Sequence, residues 1–332
     1  MINNQFENTH AVLSELLGSL QKMGDAIDFY FDHVKEGEIL NPFLARGGVN
    51  SMGSSEALPP EFFNRFGIHR LILDSPHGRL SFSEKDFIDI INKNATSFRW
   101  RDLKTDLMIE DLKMLFENCQ IVEFANWSDF ENVSDIWDNL RRDIIMPLRR
   151  NDFDFVFYLG DTAKKMTFEV DEILDIISSY SLRGRVTLVL DEQNAVNMWE
   201  MRYGQSSHAK NSTSAGLKEK CRCLFDLMDI SHLIIDSFPA TLSFSRQSQF
   251  EITPEKRFET LGRGRKYFDV GYILGLILKN DLLHSIILGM AVSEVYAEKG
   301  CKPDSKMLID YIEKYKGEIE SFKHEENQLS SA

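Results

Sequence analysis

The sequence predicts an α/β protein built on a mostly parallel central sheet with helices on both faces, a three-layer sandwich. Three observations lead there. From residue 105 onward, segments with helical apolar spacing alternate with short β-prone runs. One of those runs, Val186–Leu190, is apolar at nearly every position, as expected of a strand covered on both sides. At 332 residues and 43% hydrophobic, the chain is long and apolar enough to bury a sizeable core.

The elements follow in chain order. Val12, Leu13, Leu16, Leu17, Leu20 and Met23 repeat with helical spacing, so residues 8–23 read as a helix. It makes residues 1–23 an extension ahead of the main domain, which occupies 24–323. Ala26–Phe31 is aromatic and β-prone and reads as a strand. A loop is expected over Glu36–Gly53, then a helix over Ser54–Phe66, with Pro59-Pro60 at its start. Ile68–Asp74 and Gly78–Phe82 read as a strand pair about a Ser75-Pro76-His77-Gly78 turn, a small β lid.

Helices are then expected at Thr105–Glu117, Val133–Ile145, Glu169–Tyr180, Glu192–Met201 and Leu217–Leu227. Between and after them, strands are expected at Cys119–Phe124, Phe153–Tyr158, Val186–Leu190, His232–Asp236, Thr241–Ser245 and Phe250–Thr253. Gln205–Gly216 reads as a polar loop, Val270–Val292 as two buried helices interrupted at Lys279-Asn280-Asp281, and 324–332 as a frayed tail.

Lys plus Arg total 38 against 52 Asp plus Glu, a net charge of −14. That surface argues against nucleic acid and anionic membranes as partners, because phosphate neutralisation needs clustered positive charge. The four cysteines have no disulfide or zinc spacing, and Cys221-Arg222-Cys223 is too tight for a metal knuckle. Free thiols and a start without a signal peptide, MINNQFENTH, point to the cytoplasm.

The chemistry-bearing candidate is Gly262-Arg263-Gly264-Arg265-Lys266, between a strand region and an apolar helix. Glycines let the backbone approach a ligand, and a helix start with nearby cations attracts phosphate. A tight turn with solvated basic side chains is the alternative. Asp191 and Asn194 follow a strand and offer oxygen ligands for Mg²⁺, or Asp191 caps the next helix. Asp161 also follows a strand end, where open α/β sheets bind ligands, with capping again the alternative. Near the N-terminus, Gly24-Asp25-Ala-Ile-Asp28 and Gly47-Gly48-Val49-Asn50 place polyol-suited side chains beside glycines.

These three stretches together resemble the ribokinase-like (PfkB-type) carbohydrate kinases. That family carries a glycine-pair element before a helix with spaced glycines, here Gly262 and Gly264, then Gly271 and Gly275. It also carries an Asn-x-x-Glu element near magnesium, here Asp191 to Asn194, and an early sugar-binding strand and Gly-Gly element. The resemblance implies an ATP- and Mg²⁺-dependent kinase for a sugar or nucleoside, and a homodimer paired through the lid. It assigns Asp28, Gly47, Gly48 and Asn50 to the sugar and Gly262–Lys266 to phosphate.

The departure lies at the catalytic base. The glycine-pair match puts Arg265 where the family has an aspartate, and arginine accepts no proton at neutral pH. Asp269, one helical turn further on, is the nearby carboxylate that a reshaped loop would use as a displaced base. Two readings follow: a sugar kinase, or a kinase-like protein that binds a sugar, nucleotide or phosphate ligand as a sensor or interaction module.

Overall fold

The computed structural model describes residues 2–33, 44–46, 99–103, 106–117, 120–125, 127–129, 132–204, 214–237, 240–252, 267–301 and 303–316. The chain divides into two compact units, residues 39–255 and residues 1–38 with 256–332.

The first unit holds a seven-stranded sheet whose strands lie in sequence order. They are β1 (Leu44–Arg46), β2 (Ile121–Ala125), β3 (Phe153–Tyr158), β4 (Gly184–Asp191), β5 (His232–Asp236), β6 (Thr241–Ser245) and β7 (Gln249–Ile252). The central strands β2 to β5 run parallel. Antiparallel pairings add β1 at one edge and β6 with β7 at the other. Parallel neighbours require crossover helices. Val133–Leu140 carries the chain from β2 to β3, and Thr167–Ser179 from β3 to β4. Glu192–Tyr203 and Ser214–Asp226 carry it from β4 to β5.

Register decides which side chains meet. Phe155 lies opposite Val122 and Val186, and Phe157 opposite Phe124 and Leu188. These residues, with Leu233, Phe244 and the apolar faces of the crossover helices, form one continuous core. At its centre Phe124 stacks on Phe157 at 4.6 Å, and the Tyr180 ring meets Phe157 edge-on at 5.2 Å. The other face of the sheet is buried too, through Val156, Val189 and Ile234. The result is a mostly parallel sheet covered on both faces, as the sequence predicts.

That second face also carries polar groups. Arg185 Nε donates to Asp154 Oδ1 at 2.6 Å, and Thr187 Oγ1 lies 3.4 Å from His232 Nδ1. Burial first, then the Arg185 charge, lowers His232 to about 4, with Asp154 opposing both.

In the second unit, α1 (Ile2–Lys22) and α2 (Gly24–His33) precede α8 (Phe268–Ile277), α9 (Leu282–Lys299) and α10 (305–316); α3 (Asp106–Glu117), α4 (Val133–Leu140), α5 (Thr167–Ser179), α6 (Glu192–Tyr203) and α7 (Ser214–Asp226) belong to the first. Helices α8 and α9 form a tight hairpin, capped at its turn where the Asp281 side chain accepts from His284 N. A Cβ on Gly271 would lie 2.5 Å from the Leu288 carbonyl oxygen, so only glycine allows this approach. Helix α1 reaches α9 through Glu15 Oε2, 3.5 Å from His284 Nε2. Among the described residues no helix is long and apolar enough to cross a membrane.

The structure corrects three local readings. Ala26–Phe31 is part of α2, not a strand. Ile27 and Phe31 are both buried and lie four apart, so packing on one helix face overrides their β preference. Leu44–Arg46, read as loop, is an edge strand. The helix expected over Val133–Ile145 is α-helical only to Leu140 and continues as a π turn over Arg141–Ile145. The helix at 54–66 and the lid strands at 68–82 lie outside the described residues.

Candidate functional site

The carboxyl ends of β3, β4 and β5 bring polar side chains to one edge of the sheet, the edge where open α/β sheets bind ligands. Asp191 ends β4 and is the N-cap of α6. Its register partner on β5 is Asp236, which is buried. After β3, Asp161 caps the short helix Thr162–Lys164, accepting from Ala163 N at 3.1 Å.

Asp191 is held at both oxygens by one residue. Asn194 N donates to Oδ1 at 2.7 Å and Asn194 Nδ2 to Oδ2 at 2.9 Å. The other end of the Asn194 amide accepts from Thr162 N at 2.8 Å and Thr162 Oγ1 at 2.9 Å. Asn194 and Thr162 are both buried. The capping reading of Asp191 and Asp161 is therefore what their side chains do, and the Asn194 amide is a brace between two strand ends.

This arrangement decides how an Mg²⁺ ion fits. A carboxylate oxygen has two acceptor positions, and each Asp191 oxygen uses one on Asn194. The Asn194 carbonyl oxygen uses both of its positions on Thr162. The described residues also contain no cluster of three or more His, Cys, Asp or Glu arranged to hold a metal. Asp191 thus suits an ion held through its water shell, whereas Asn194 has no lone pair left for one.

Asp269 lies in the first turn of α8 and is 4% exposed. A carboxylate there faces the positive end of the helix dipole. Asp28 lies in α2, where its Oδ1 accepts from Ser305 N at 2.7 Å and its Oδ2 from Ser305 Oγ at 3.0 Å, at the first residue of α10. Gly47, Gly48, Asn50 and the whole Gly262-Arg263-Gly264-Arg265-Lys266 turn lie outside the described residues. Cys221 offers no nucleophile: burial first, then Glu192, pushes its thiol up to about 12, with Lys220 opposing.

Sequence reasoning missed Thr162. A threonine after a strand-ending Gly160-Asp161 reads as ordinary turn chemistry. Its partner is 32 positions away, a pairing that no local pattern encodes.

Solved structures similar to the chain include ribokinase from Thermotoga maritima, at 10% identity over 62% of this chain and 59% of that one, TM-score 0.44. Arabidopsis thaliana ribokinase, solved with ribose and ATP, matches at 11% over 63% and 59%, TM-score 0.44. A nucleoside kinase of the ribokinase family from Methanocaldococcus jannaschii matches at 16% over 59% and 57%, TM-score 0.40. The chain thus spans less than two thirds of the length of these structures. No curated protein matches the chain significantly. The family model of the prokaryotic ketohexokinases matches residues 62–315, a span that takes in Asp191, Asn194, Gly262–Lys266 and Asp269. With that match over more than half its length, the chain belongs to the prokaryotic ketohexokinase family.

Proposed function

We propose that the protein is an ATP-dependent carbohydrate kinase that phosphorylates a hydroxyl of a ketohexose-type sugar. The observation that carries this reading is the family match across residues 62–315. The polar cluster at the carboxyl ends of β3 and β4 supports it.

In this reading a sugar hydroxyl attacks the γ-phosphorus of ATP. The new O–P bond forms as the bond to the β,γ-bridging oxygen breaks, ADP leaves, and Asp269 takes the hydroxyl proton. Gly262, Arg263, Gly264, Arg265 and Lys266 hold the phosphates through backbone N–H groups and cationic side chains. Magnesium, when bound, neutralises charge on the phosphates, and Asp191 receives its water shell. Asp28, Gly47, Gly48 and Asn50 form the sugar side, where one acceptor position remains on each Asp28 oxygen. Pairing through the lid gives a homodimer.

One observation favours a second reading: Arg265 occupies the place of the base in the glycine-pair match. A protein without a base would bind nucleotide or phosphosugar and turn over neither. The test measures ADP release from ATP with a panel of ketohexoses, other sugars and nucleosides. Turnover at about 1–100 s⁻¹ with a ketohexose is expected, and Asp269→Asn should lower it ~10²–10⁴-fold. Full turnover by Asp269→Asn would remove Asp269 from the role. Absence of turnover while ADP still binds would overturn the kinase reading in favour of the sensor.

A further inference from the structure

We infer that Thr162 is a positioning residue for the metal–nucleotide side of the site, acting through Asn194 on the Asp191 carboxylate. The inference rests on the kinase reading. It starts from an excess of hydrogen bonds. Capping α6 requires only that an Asp191 oxygen accept from a backbone N–H, which Asn194 N supplies at 2.7 Å. The bond from Asn194 Nδ2 to the second oxygen, at 2.9 Å, adds nothing to the cap. It fixes the rotation of the carboxylate plane.

That bond forms only if the Asn194 amide points its nitrogen toward Asp191. Thr162 sets the direction. Its N–H and its hydroxyl both donate to the amide oxygen, at 2.8 and 2.9 Å, so the oxygen end of the amide is drawn away from Asp191. A flipped amide would set its NH₂ group against the Thr162 backbone N–H, donor on donor, and its oxygen against the Asp191 carboxylate, acceptor on acceptor. Thr162 has no measurable exposure, so neither lost bond can be replaced by bulk water. The chain of contacts spans two neighbouring strand ends, because Thr162 follows β3 and Asp191 ends β4.

The consequence is an Asp191 whose free acceptor positions keep one direction before any ligand arrives. A pre-oriented carboxylate loses less freedom when it takes up the water shell of a metal ion. The prediction is therefore specific to the metal. Loss of the Thr162 hydroxyl weakens the help that Mg²⁺ gives to nucleotide binding, and leaves nucleotide binding without metal alone.

The experiment titrates ADP by calorimetry into the full-length protein, in EDTA and across a series of MgCl₂ concentrations. Wild type, Thr162→Val, Thr162→Ala and Thr162→Ser are compared. Thr162→Val keeps the shape and removes the hydroxyl donor; Thr162→Ala removes it without adding a methyl against the amide, and the backbone N–H bond remains in both. The expected result is a roughly tenfold rise in the MgCl₂ needed for half-maximal tightening of ADP binding, the effect of about one buried hydrogen bond. Either hydroxyl-free variant gives this result, Thr162→Ser restores wild-type behaviour, and affinity in EDTA is unchanged throughout. Equal weakening with and without Mg²⁺ would mark a structural role and overturn the inference, as would wild-type Mg²⁺ dependence in both hydroxyl-free variants. ADP binding by wild type that ignores Mg²⁺ would overturn the kinase reading and the inference together.

Discussion

Alanine at two helix-interior glycines should move stability in opposite directions. At Gly18, in α1, nothing lies within 4 Å of where a Cβ would sit. The substitution there only removes backbone freedom from the unfolded chain, and should stabilise by ~1 kcal/mol. At Gly271 the new Cβ would lie 2.5 Å from the Leu288 oxygen and 2.8 Å from both Gly289 Cα and Val292 Cβ. Two of these are backbone atoms, which cannot rotate away. Reaching ordinary contact requires α8 and α9 to part by about 1 Å, and overpacking of that kind costs ~1–3 kcal/mol. Backbone crowding places Gly271→Ala toward the upper end, and the helix-propensity gain of ~1 kcal/mol offsets only part of it. The net expectation is a loss of about 2 kcal/mol, or several degrees in Tm, against a gain of a few degrees for Gly18→Ala. Urea and thermal unfolding of both variants read the two signs. Gly271→Ala at or above wild-type stability would refute the close hairpin, and a destabilising Gly18→Ala would refute the open space beside α1.

Acid should reveal His232. Its folded value of about 4 lies below the ordinary 6.5, so the unfolded chain takes the proton first. Its contribution is intact above pH 6.5 and falls as pH drops toward 4, by up to roughly 3 kcal/mol at about 1.4 kcal/mol per pH unit. His232→Gln should remove that slope, and urea midpoints of the two proteins at pH 7 and pH 4.5 measure it; an unchanging difference between them would count against the buried neutral imidazole. At Tyr180, the hydroxyl donates to the Trp137 carbonyl at 2.6 Å inside the aromatic core. Tyr180→Phe should cost about 1 kcal/mol, read as a lower urea midpoint with an unaltered slope.

Three strands, Phe153–Tyr158, His232–Asp236 and Thr241–Ser245, have the bounds read from sequence. They are short, rich in β-branched and aromatic residues, and bounded by turn residues, so pattern and propensity agree. Val186–Leu190 is the interior of the longer β4, whose ends at Gly184 and Asp191 carry polar residues that hide the strand. Ala26–Phe31 failed because six residues can satisfy two periods at once. Ile27, Phe29 and Phe31 alternate as a strand would, while Ile27 and Phe31 also share a helix face, and packing chose the helix. At the site, Asp191 was legible because an aspartate between a strand and a helix has few roles. Thr162 was not, because its part depends on one loop meeting the helix that follows the next strand.

Capping and ligand binding are not rivals at such a position. An N-cap aspartate sits at the positive end of a helix and accepts backbone N–H groups, and its remaining acceptor positions stay open to a ligand. Asp191, an N-cap, and Asp28, which is not one, each accept two hydrogen bonds from one residue at the start of a helix. Their hydrogen-bond counts therefore do not distinguish them. What does is the element in front. Asp191 ends a parallel strand beside the register partner Asp236 and is braced from the neighbouring strand end by Thr162, whereas Asp28 lies within α2. A parallel strand delivers its last side chain to the same edge as those of its neighbours, and a brace between strand ends keeps it there. The sheet therefore collects Asp161, Asp191 and Asp236, which end or follow neighbouring strands, at one edge, the first two while capping the helices that follow them.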